Sequence, residues 1–317
     1  MEEGGAKMRP NFFRLQALLV VADNGSIAAA ARKLNITAPA VTKAIRQLER
    51  DCDAELFIRA RSGVTPTPAG LAMIRRARLA LNELDQAQEE LRELRGIAQG
   101  KIAIGALAFA RSVLLPRALV AFTASRPLDD VAVFDGEFES LIEPLRDGRL
   151  DFIVGALRET PLSPDVVQDR LFDDPVIAVA RRDHPLAKRA NLSLRELARQ
   201  TWIVPPVDSP VRRLFELSFR EGGLASPAHP VVTTSLEVMR GMILESDRLG
   251  FVSRNRVYYE LQNGLLVELK AKLTRNKRPI GIIRRKDVDF TPAAEEMIKR
   301  IRAVAGALRR GEAMPSR

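Results

Sequence analysis

The stretch that most constrains this chain is Ser26 to Arg50, SIAAAARKLNITAPAVTKAIRQLER, which reads as two short helices joined by a tight turn. Ser26 can cap the first helix, because its hydroxyl accepts from backbone N–H groups two or three residues on. Ala28 to Ala31 combine high helix propensity with side chains small enough for a second helix to cross closely. Leu34, Asn35 and Ile36 form the turn, and Asn35 suits the left-handed conformation that ends a helix. Thr37 then caps the second helix, with Pro39 in its first turn, where a missing N–H costs little. Val41, Ile45 and Leu48 recur at spacings of four and three, so they line one buried face. Thr42, Lys43 and Arg46 point elsewhere. Short polar and cationic side chains along such a second helix suit the major groove of DNA. In this window alone, a solvated helical pair with a basic face would read the same way.

The flanks narrow the choice. Arg9 to Asp23, RPNFFRLQALLVVAD, is an apolar helix closed by Asn24 and Gly25, a floor for a three-helix domain. After the second helix, ELFIRARSGVTPTPAG (residues 55 to 70) holds a short strand leading to Arg59 and Arg61, a turn at Ser62-Gly63 and a return through Val64 and Thr65. That is a β-wing whose two arginines suit phosphates or the minor groove. The expected DNA contacts are therefore Thr37, Ala38, Pro39, Thr42, Lys43 and Arg46 from the helix, with Arg59 and Arg61 from the wing.

Thr67 and Pro68 start a long helix that runs to Gly96. Met73, Ala77, Ala80, Leu84, Ala87, Leu91 and Leu94 alternate at spacings of four and three, a heptad seam suited to a coiled coil between chains. A single amphipathic helix packed on its own domain is the alternative. DNA-binding dimers read two half-sites, so a two-fold helix next to the helix-turn-helix makes mechanical sense.

From Gly100 the texture changes to short β-rich runs alternating with helices. KIAIGAL (Lys101 to Leu107), Val131 to Phe134 and LDFIVG (Leu150 to Gly155) read as strands, separated by helices over Leu114 to Ser125 and Phe138 to Arg146. A second set begins at Pro175 to Ala180 and includes strands near Trp202 and Val231, with helices over Val211 to Glu221 and Leu236 to Glu245. The chain returns through Ile280 to Arg285 and closes with a helix over Pro292 to Leu308. Each set is a small α/β layer fold. A crossing near Phe172-Asp173 and a return near Lys272 to Arg278 give two lobes joined by two strands, with a cleft between.

Ligands of such folds sit at the carboxyl ends of strands, near helix N-termini. The strand ends nominate Phe109, Arg111, Ser112, Asp135, Gly136, Arg158, Pro205, Ser209, Thr234, Ser235 and Ser253. Arg111 and Arg158 offer bidentate forks for a carboxylate, or surface and inter-lobe ion pairs. The serines either meet a ligand or simply cap helices.

The order of helix, SIAAAARKLNITAPAVTKAIRQLE, LFIRARSGVTPTPAG and long helix resembles the LysR-type transcriptional regulators, over nearly the whole chain. GALAFARSVLLPRALVAF (residues 105 to 122) and GRLDFIVGALRE (residues 148 to 159) resemble the branch named for regulators of a galactose-binding protein, with regulators of aromatic-acid breakdown nearby. The resemblance implies a winged helix-turn-helix over residues 1–67, a dimerising linker helix over 68–96 and an effector-binding domain over 97–317. Its lobes would span about 100–172 with 279–310, and about 173–278, like periplasmic solute-binding proteins. It implies promoter DNA, a small organic or aromatic acid, a second copy of the chain (a dimer or a dimer of dimers) and RNA polymerase as partners. Three positions depart: Ala38 replaces a common Gln, Pro66 a Leu and Ser62 an Arg. The first loses an amide at the start of the recognition helix, and the last weakens the wing's hold on phosphate.

Composition closes off other classes. The net charge of +10 favours an anionic partner without separating DNA from a membrane surface. No run approaches a membrane span, and MEEGGAKMRP lacks the regions of a signal peptide, so a cytoplasmic, membrane-independent protein is expected. Met1 to Lys7 reads as a loose leader, with Met8 an alternative start. The lone Cys52 lies between two aspartates, and His184 and His229 have no ligand-spaced neighbours. Neither a metal nor a cofactor is expected. A solute-binding protein would not need the N-terminal DNA module. An enzyme would need convergent acid/base or nucleophilic groups, for which Asp135 and Glu137 are thin support. The chain reads as a ligand-responsive transcriptional regulator and not as an enzyme.

Overall fold

The protein is described by a computed structural model over residues 11–60, 63–95, 100–159, 162–271, 273, 276–286 and 288–310, with backbone alone at 59, 60, 89 and 92–94. The expectations placed on the Met1 to Lys7 leader, Arg61, Ser62, Gly96 and Lys272, and on the side chains of Arg59 and Leu94, lie outside the described residues. The chain divides into two compact units, residues 1–101 with 142–151, and 102–141 with 152–317.

In the first unit, local capping chemistry sets the helix ends. Helix α1 (Phe12–Asn24) starts at Asn11, whose side chain accepts from Arg14 N at 2.9 Å, and ends on Gly25 at φ 59°. Ser26 accepts from Ala29 N at 3.3 Å and opens α2 (Ile27–Lys33). Asn35 turns the chain with a φ of 54°. Thr37 accepts from Ala40 N at 3.4 Å and opens α3 (Ala38–Cys52). Val41, Ala44, Ile45 and Leu48 of α3 pack with Ala17, Leu18 and Val21 of α1 and Ala30 and Ala31 of α2 in one core. An ion pair between Arg14 and Asp51 ties α1 to α3. Strands β1 (Phe57–Ala60) and β2 (Gly63–Pro66) form an antiparallel hairpin. At Gly63, with a φ of 134°, an added Cβ would lie 2.6 Å from the Gly25 carbonyl oxygen, so the wing can approach the α1–α2 turn only without a side chain there.

Helix α4 (Pro68–Leu94) begins under Thr67, whose hydroxyl accepts from Gly70 N at 2.9 Å and donates to Glu55 O at 2.7 Å. Its heptad stripe is divided. Ile74 and Ala77 belong to the core shared with α1, with Met73 packed against them, so Met73 and Ala77 serve their own chain and not an inter-chain seam. Farther along, Leu84 and Leu91 are 51% and 55% exposed. The α4 residues that share the α1 core end at Ala77; beyond them Leu81 is still buried, while Leu84 and Leu91 face outward. A second stripe at i, i+4 and i+8 is polar. Arg78 pairs with Asp147 at 3.0 Å, Asn82 donates to Asp147 O at 2.7 Å, and Gln86 donates to Asp151 at 3.2 Å.

The second unit is built on one path of strands, β4-β3-β5-β11-β6-β9-β7-β8, with β10 paired to β6. In chain order these are β3 (Lys101–Ala106), β4 (Asp130–Asp135), β5 (Phe152–Ala156), β6 (Val166–Arg181), β7 (Trp202–Val204), β8 (Val231–Val232), β9 (Leu249–Ser253), β10 (Leu266–Glu268) and β11 (Lys277–Arg285). Helices α5 (Leu114–Ser125), α6 (Phe138–Arg146), α7 (Leu194–Ala198), α8 (Pro210–Glu221), α9 (Leu236–Leu244), α10 (Tyr258–Gln262) and α11 (Pro292–Arg310) complete it, with a 3-10 turn over Arg254–Val257. Strands β6 and β11 carry the chain between two halves. Phe172, Asp173, Asp174 and Pro175 pair with Ile280, Pro279, Arg278 and Lys277, and from Val176 onward β6 takes β9 as its neighbour. Pro175 has no N–H to give and sits where one partner strand hands over to the next.

Each half has its own core. Helices α5 and α11 cover β3, β5 and β11 through Phe122, Phe152, Ile282, Met297 and Ile301. In the other half, alternate residues of β6, β7 and β9 feed two clusters on opposite faces. One is centred on Trp202, edge-on to Phe215 at 5.1 Å, and the other on Ile177, Ile203 and Ile243. The Trp202 indole N–H donates to Leu197 O at 3.0 Å.

Candidate functional site

The outward face of α3 follows from its inward one. With Val41, Ala44, Ile45 and Leu48 buried, the 3.6-residue period turns Ala38, Pro39, Thr42, Lys43, Arg46 and Arg50 to the other side, where they line a shallow groove. Five of these six are among the expected contacts or flank them directly, and Arg50 extends the face by one turn. Lys43 and Arg46 have no ion-pair partner among the described residues, whereas Arg50 donates to Gln47 and Gln47 to Asp51. Thr37 stands at the N-cap. Glu49 turns inward and accepts from Leu56 N at 3.0 Å and Phe57 N at 3.4 Å, which anchors the start of the wing to α3. A face of short and cationic groups on a capped, rigid helix can enter the major groove, with its cations unspent on internal pairs.

A cavity of about 580 Å³ opens in the second unit between the ends of β3 and β4 on one half and α9, the 3-10 turn and α10 on the other. Of the nominated residues, Arg111, Ser112, Asp135, Gly136, Thr234 and Ser235 line it. Arg111 pairs with Asp135 at 2.5 Å. Ser235 caps α9 by accepting from Val238 N at 3.2 Å and donates to Glu237 at 2.7 Å. That hydroxyl, with the backbone N–H at the helix start and Arg240 and Arg256 nearby, holds the Glu237 carboxyl below its usual range. Ser112 lies one residue before the α5 cap position, Val113, and its hydroxyl has no hydrogen-bond partner among the described residues.

The other nominated residues are elsewhere. Phe109 is buried in the first core, edge-on to Phe172 with ring centroids 5.8 Å apart. Arg158 stacks on the Phe138 ring at 4.5 Å and reaches Glu139 at 3.4 Å, outside the cavity lining. Ser209 caps α8 by accepting from Arg212 N at 3.0 Å, and neither it nor Pro205 lines the cavity. Ser253 is fully buried at the crossing, where Asp174 also meets Asn255 at 2.9 Å and Arg278 at 3.2 Å. Burial pushes the Asp174 carboxyl above its usual range, against the pull of Arg278, Ser253 and Asn255.

Sequence reasoning missed Leu236, Glu237, Arg240, Arg256, Tyr259 and Glu260, which also line the cavity. Arg240 pairs with Glu260 at 3.1 Å. Arg256 is the unusual group. Its guanidinium has no ion-pair partner among the described residues, and its Nε has no hydrogen-bond partner. Burial, reinforced by repulsion from Arg278 and Arg111 and only partly offset by Glu237 and Glu137, lowers its pKa to about 10. The available signal was a strand end followed by Ser253-Arg254-Asn255-Arg256; in a tight turn the second arginine, not the first, comes round to the cavity, while Arg254 lies 3.5 Å from Glu268. Among the described residues no group of three or more His, Cys, Asp or Glu is placed to hold a metal ion.

Residues 12–71 match the family described as bacterial regulatory helix-turn-helix protein, lysR family, and residues 95–306 match the LysR substrate binding domain. The HTH-type transcriptional regulator GalR of Pseudomonas putida is 34% identical, over 92% of this chain and 73% of that relative. GbpR of Azospirillum brasilense is 28% identical, over 98% and 91%. Among solved structures, a full-length OxyR variant from Pseudomonas aeruginosa has the same fold at a TM-score of 0.68 and 22% identity, over 93% of this chain and 95% of that one. CbnR in complex with its target DNA gives 0.64 at 20% identity, over 92% and 99%.

Proposed function

This chain belongs to the LysR family and is a DNA-binding transcriptional regulator with an effector-binding domain, and from that premise we propose that α3 reads the operator and that a small organic acid in the cavity of the second unit sets the response. One observation carries the first half: Lys43 and Arg46 stand exposed on α3 without ion-pair partners among the described residues, beside Pro39 and Thr42. Arginine or lysine reads guanine edges, and threonine contacts either hydrogen-bonding edges or the thymine methyl. Arg59 and Arg61 follow in the sequence at the wing, where they would hold phosphate. The second half rests on a cavity whose walls come from both sides of the β6–β11 crossing. A ligand touching both sides favours one lobe angle, and it shifts that equilibrium only by its differential affinity for the two arrangements.

The chain assembles through α4. Leu84 and Leu91 are apolar, exposed and one heptad apart, which suits a seam with a second copy. Because α4 leads into β3 in the sequence, a changed lobe angle would respace two recognition helices and alter DNA bending. Working boundaries are 1–67, 68–96 and 97–317, with RNA polymerase as the downstream partner and no catalytic role for Asp135 or Glu137. No described helix is long and apolar enough to cross a membrane. We place the protein in the cytoplasm, with its operator.

Footprinting on the DNA upstream of the gene tests the reading. Lys43→Ala and Arg46→Ala should lose protection there. Ser112→Ala should keep the footprint and lose the change in its length that an acid effector produces. Wild-type protection in both α3 variants would remove that face from the interface.

A further inference from the structure

The charges around the cavity do not suit a plain organic anion. Three arginines and four carboxylates line it. Two pairs cancel, Arg111 with Asp135 and Arg240 with Glu260. What remains is Arg256, without an ion-pair partner among the described residues, and the carboxylates of Glu137 and Glu237. An acid with an apolar body would neutralise Arg256 but press against two carboxylates. A neutral polyol would satisfy the carboxylates, which accept hydrogen bonds readily, but leave a largely buried guanidinium uncompensated. A molecule that carries an anionic end and several hydroxyl donors satisfies both sets.

On the reading that this cavity is the effector site, we propose that the effector is a small polyhydroxylated carboxylic acid, its carboxylate on the Arg256 guanidinium and its hydroxyls donating to Glu137 and Glu237. The preference is built into the fold. Arg256 is held by the backbone bond from its N–H to the Ser253 hydroxyl at 3.3 Å, at the foot of the crossing strands. Arg278 and Arg111, though each is paired with a carboxylate, still raise the positive potential that Arg256 feels, so an anion there relieves that repulsion. Glu237 is held ionised by the Ser235 hydroxyl and the start of α9, which keeps it an acceptor. The free Ser112 hydroxyl and those of Thr234 and Tyr259 add donors and acceptors around the same space.

Isothermal titration of the full-length protein with matched compounds tests this. The probes are gluconate against hexanoate, 3,4-dihydroxybenzoate against benzoate, and glucose as the uncharged polyol. At least one hydroxylated acid should bind about tenfold or more tighter than its deoxy partner, a margin that one or two charge-assisted hydrogen bonds supply. Glucose should bind more weakly than gluconate. Arg256→Gln should lose that binding, Arg256→Lys should restore part of it, and Glu237→Gln should narrow the gap within the matched pair. Deoxy acids that bind as tightly as their hydroxylated partners, and lose binding in Arg256→Gln, would overturn the hydroxyl requirement and leave the effector cavity in place. A hydroxylated acid held equally by wild type and Arg256→Gln would overturn the anchor. No acid bound at all would overturn both this proposal and the cavity on which it rests.

Discussion

Replacing Arg256 should make the ligand-free protein more stable. Its guanidinium is ionised at neutral pH, three decades below a pKa of about 10, so the full cost of holding the charge is present in the folded state. The fall from the ordinary guanidinium value to about 10 corresponds, at about 1.4 kcal/mol per decade, to an upper bound of roughly 3.5 kcal/mol. The group retains some contact with water, and a glutamine there must bury its own amide, so the net gain expected from Arg256→Gln is about 1–2 kcal/mol. That is a rise in melting temperature of roughly 2–8 °C for a unit of this size. Trp202, the chain's single tryptophan, is buried in the core next to β9, so its fluorescence reports unfolding of this unit. Thermal melts of wild type and Arg256→Gln without ligand, followed at that tryptophan, decide the matter. A variant that melts below wild type would show that Arg256 supports the fold, and the argument for a site held ready for an anion would fail.

Lys43→Ala or Arg46→Ala should weaken operator binding by about 1–3 kcal/mol in fluorescence anisotropy and relax the preference at one base pair, whereas Arg50→Ala, as a phosphate contact, should weaken all sequences alike and reduce the salt slope by about one. Leu84→Lys with Leu91→Lys places charges in an apolar seam and should split the oligomer in sedimentation velocity; an unchanged oligomer would refute the seam. Asp174→Asn addresses the crossing. Burial raises the carboxyl's pKa, so its ionisation works against folding as pH climbs above the ordinary 3.8, and the variant should gain on wild type over that rise. The opposite trend in melting temperature would show that the pair with Arg278 outweighs burial.

Much of the first unit was legible because its determinants are local. Ser26, Asn35 and Thr37 act on backbone groups within four residues, so their identity and spacing suffice to place α2, the turn and α3. The division of the α4 stripe was not legible, because Met73 and Leu84 are equally apolar and only the reach of α1 separates them. The cavity shows the same boundary. Ser209 and Ser235 both precede a helix and both cap it, and they differ only in what the sheet order brings opposite. Phe109 follows a strand end, as a ligand contact would, but the chain turns there, with Ala110 N donating to Leu107 O at 2.8 Å, and the ring goes into the core. The first half of β6, VVQDRLFDD, groups its polar residues at Gln168 to Arg170 and at Asp173-Asp174, so it shows no period of two and gave no strand signal; its partner β11 arrives from about a hundred residues later. Arg256 needed the shape of a 3-10 turn that no local propensity marks.

The place of Arg256 also limits how much a ligand must do. A tenfold shift between two lobe arrangements needs about 1.4 kcal/mol of differential binding. A hydrogen bond to a charged group contributes about 1.5–3 kcal/mol, so one contact to Arg256 made in only one arrangement is enough. The two arrangements must differ where the halves meet, and that is the pairing of Asp174 with Arg278 between β6 and β11. Arg278 repels Arg256, so an anion that neutralises Arg256 changes the field at the crossing itself. On the proposed reading, binding and lobe angle would be coupled through two neighbouring guanidinium groups, without a longer chain of contacts. It follows that Arg278→Gln should leave a cavity that still binds an acid but turns its binding into a smaller change of footprint. An Arg278→Gln protein with the full wild-type footprint change would place the hinge elsewhere.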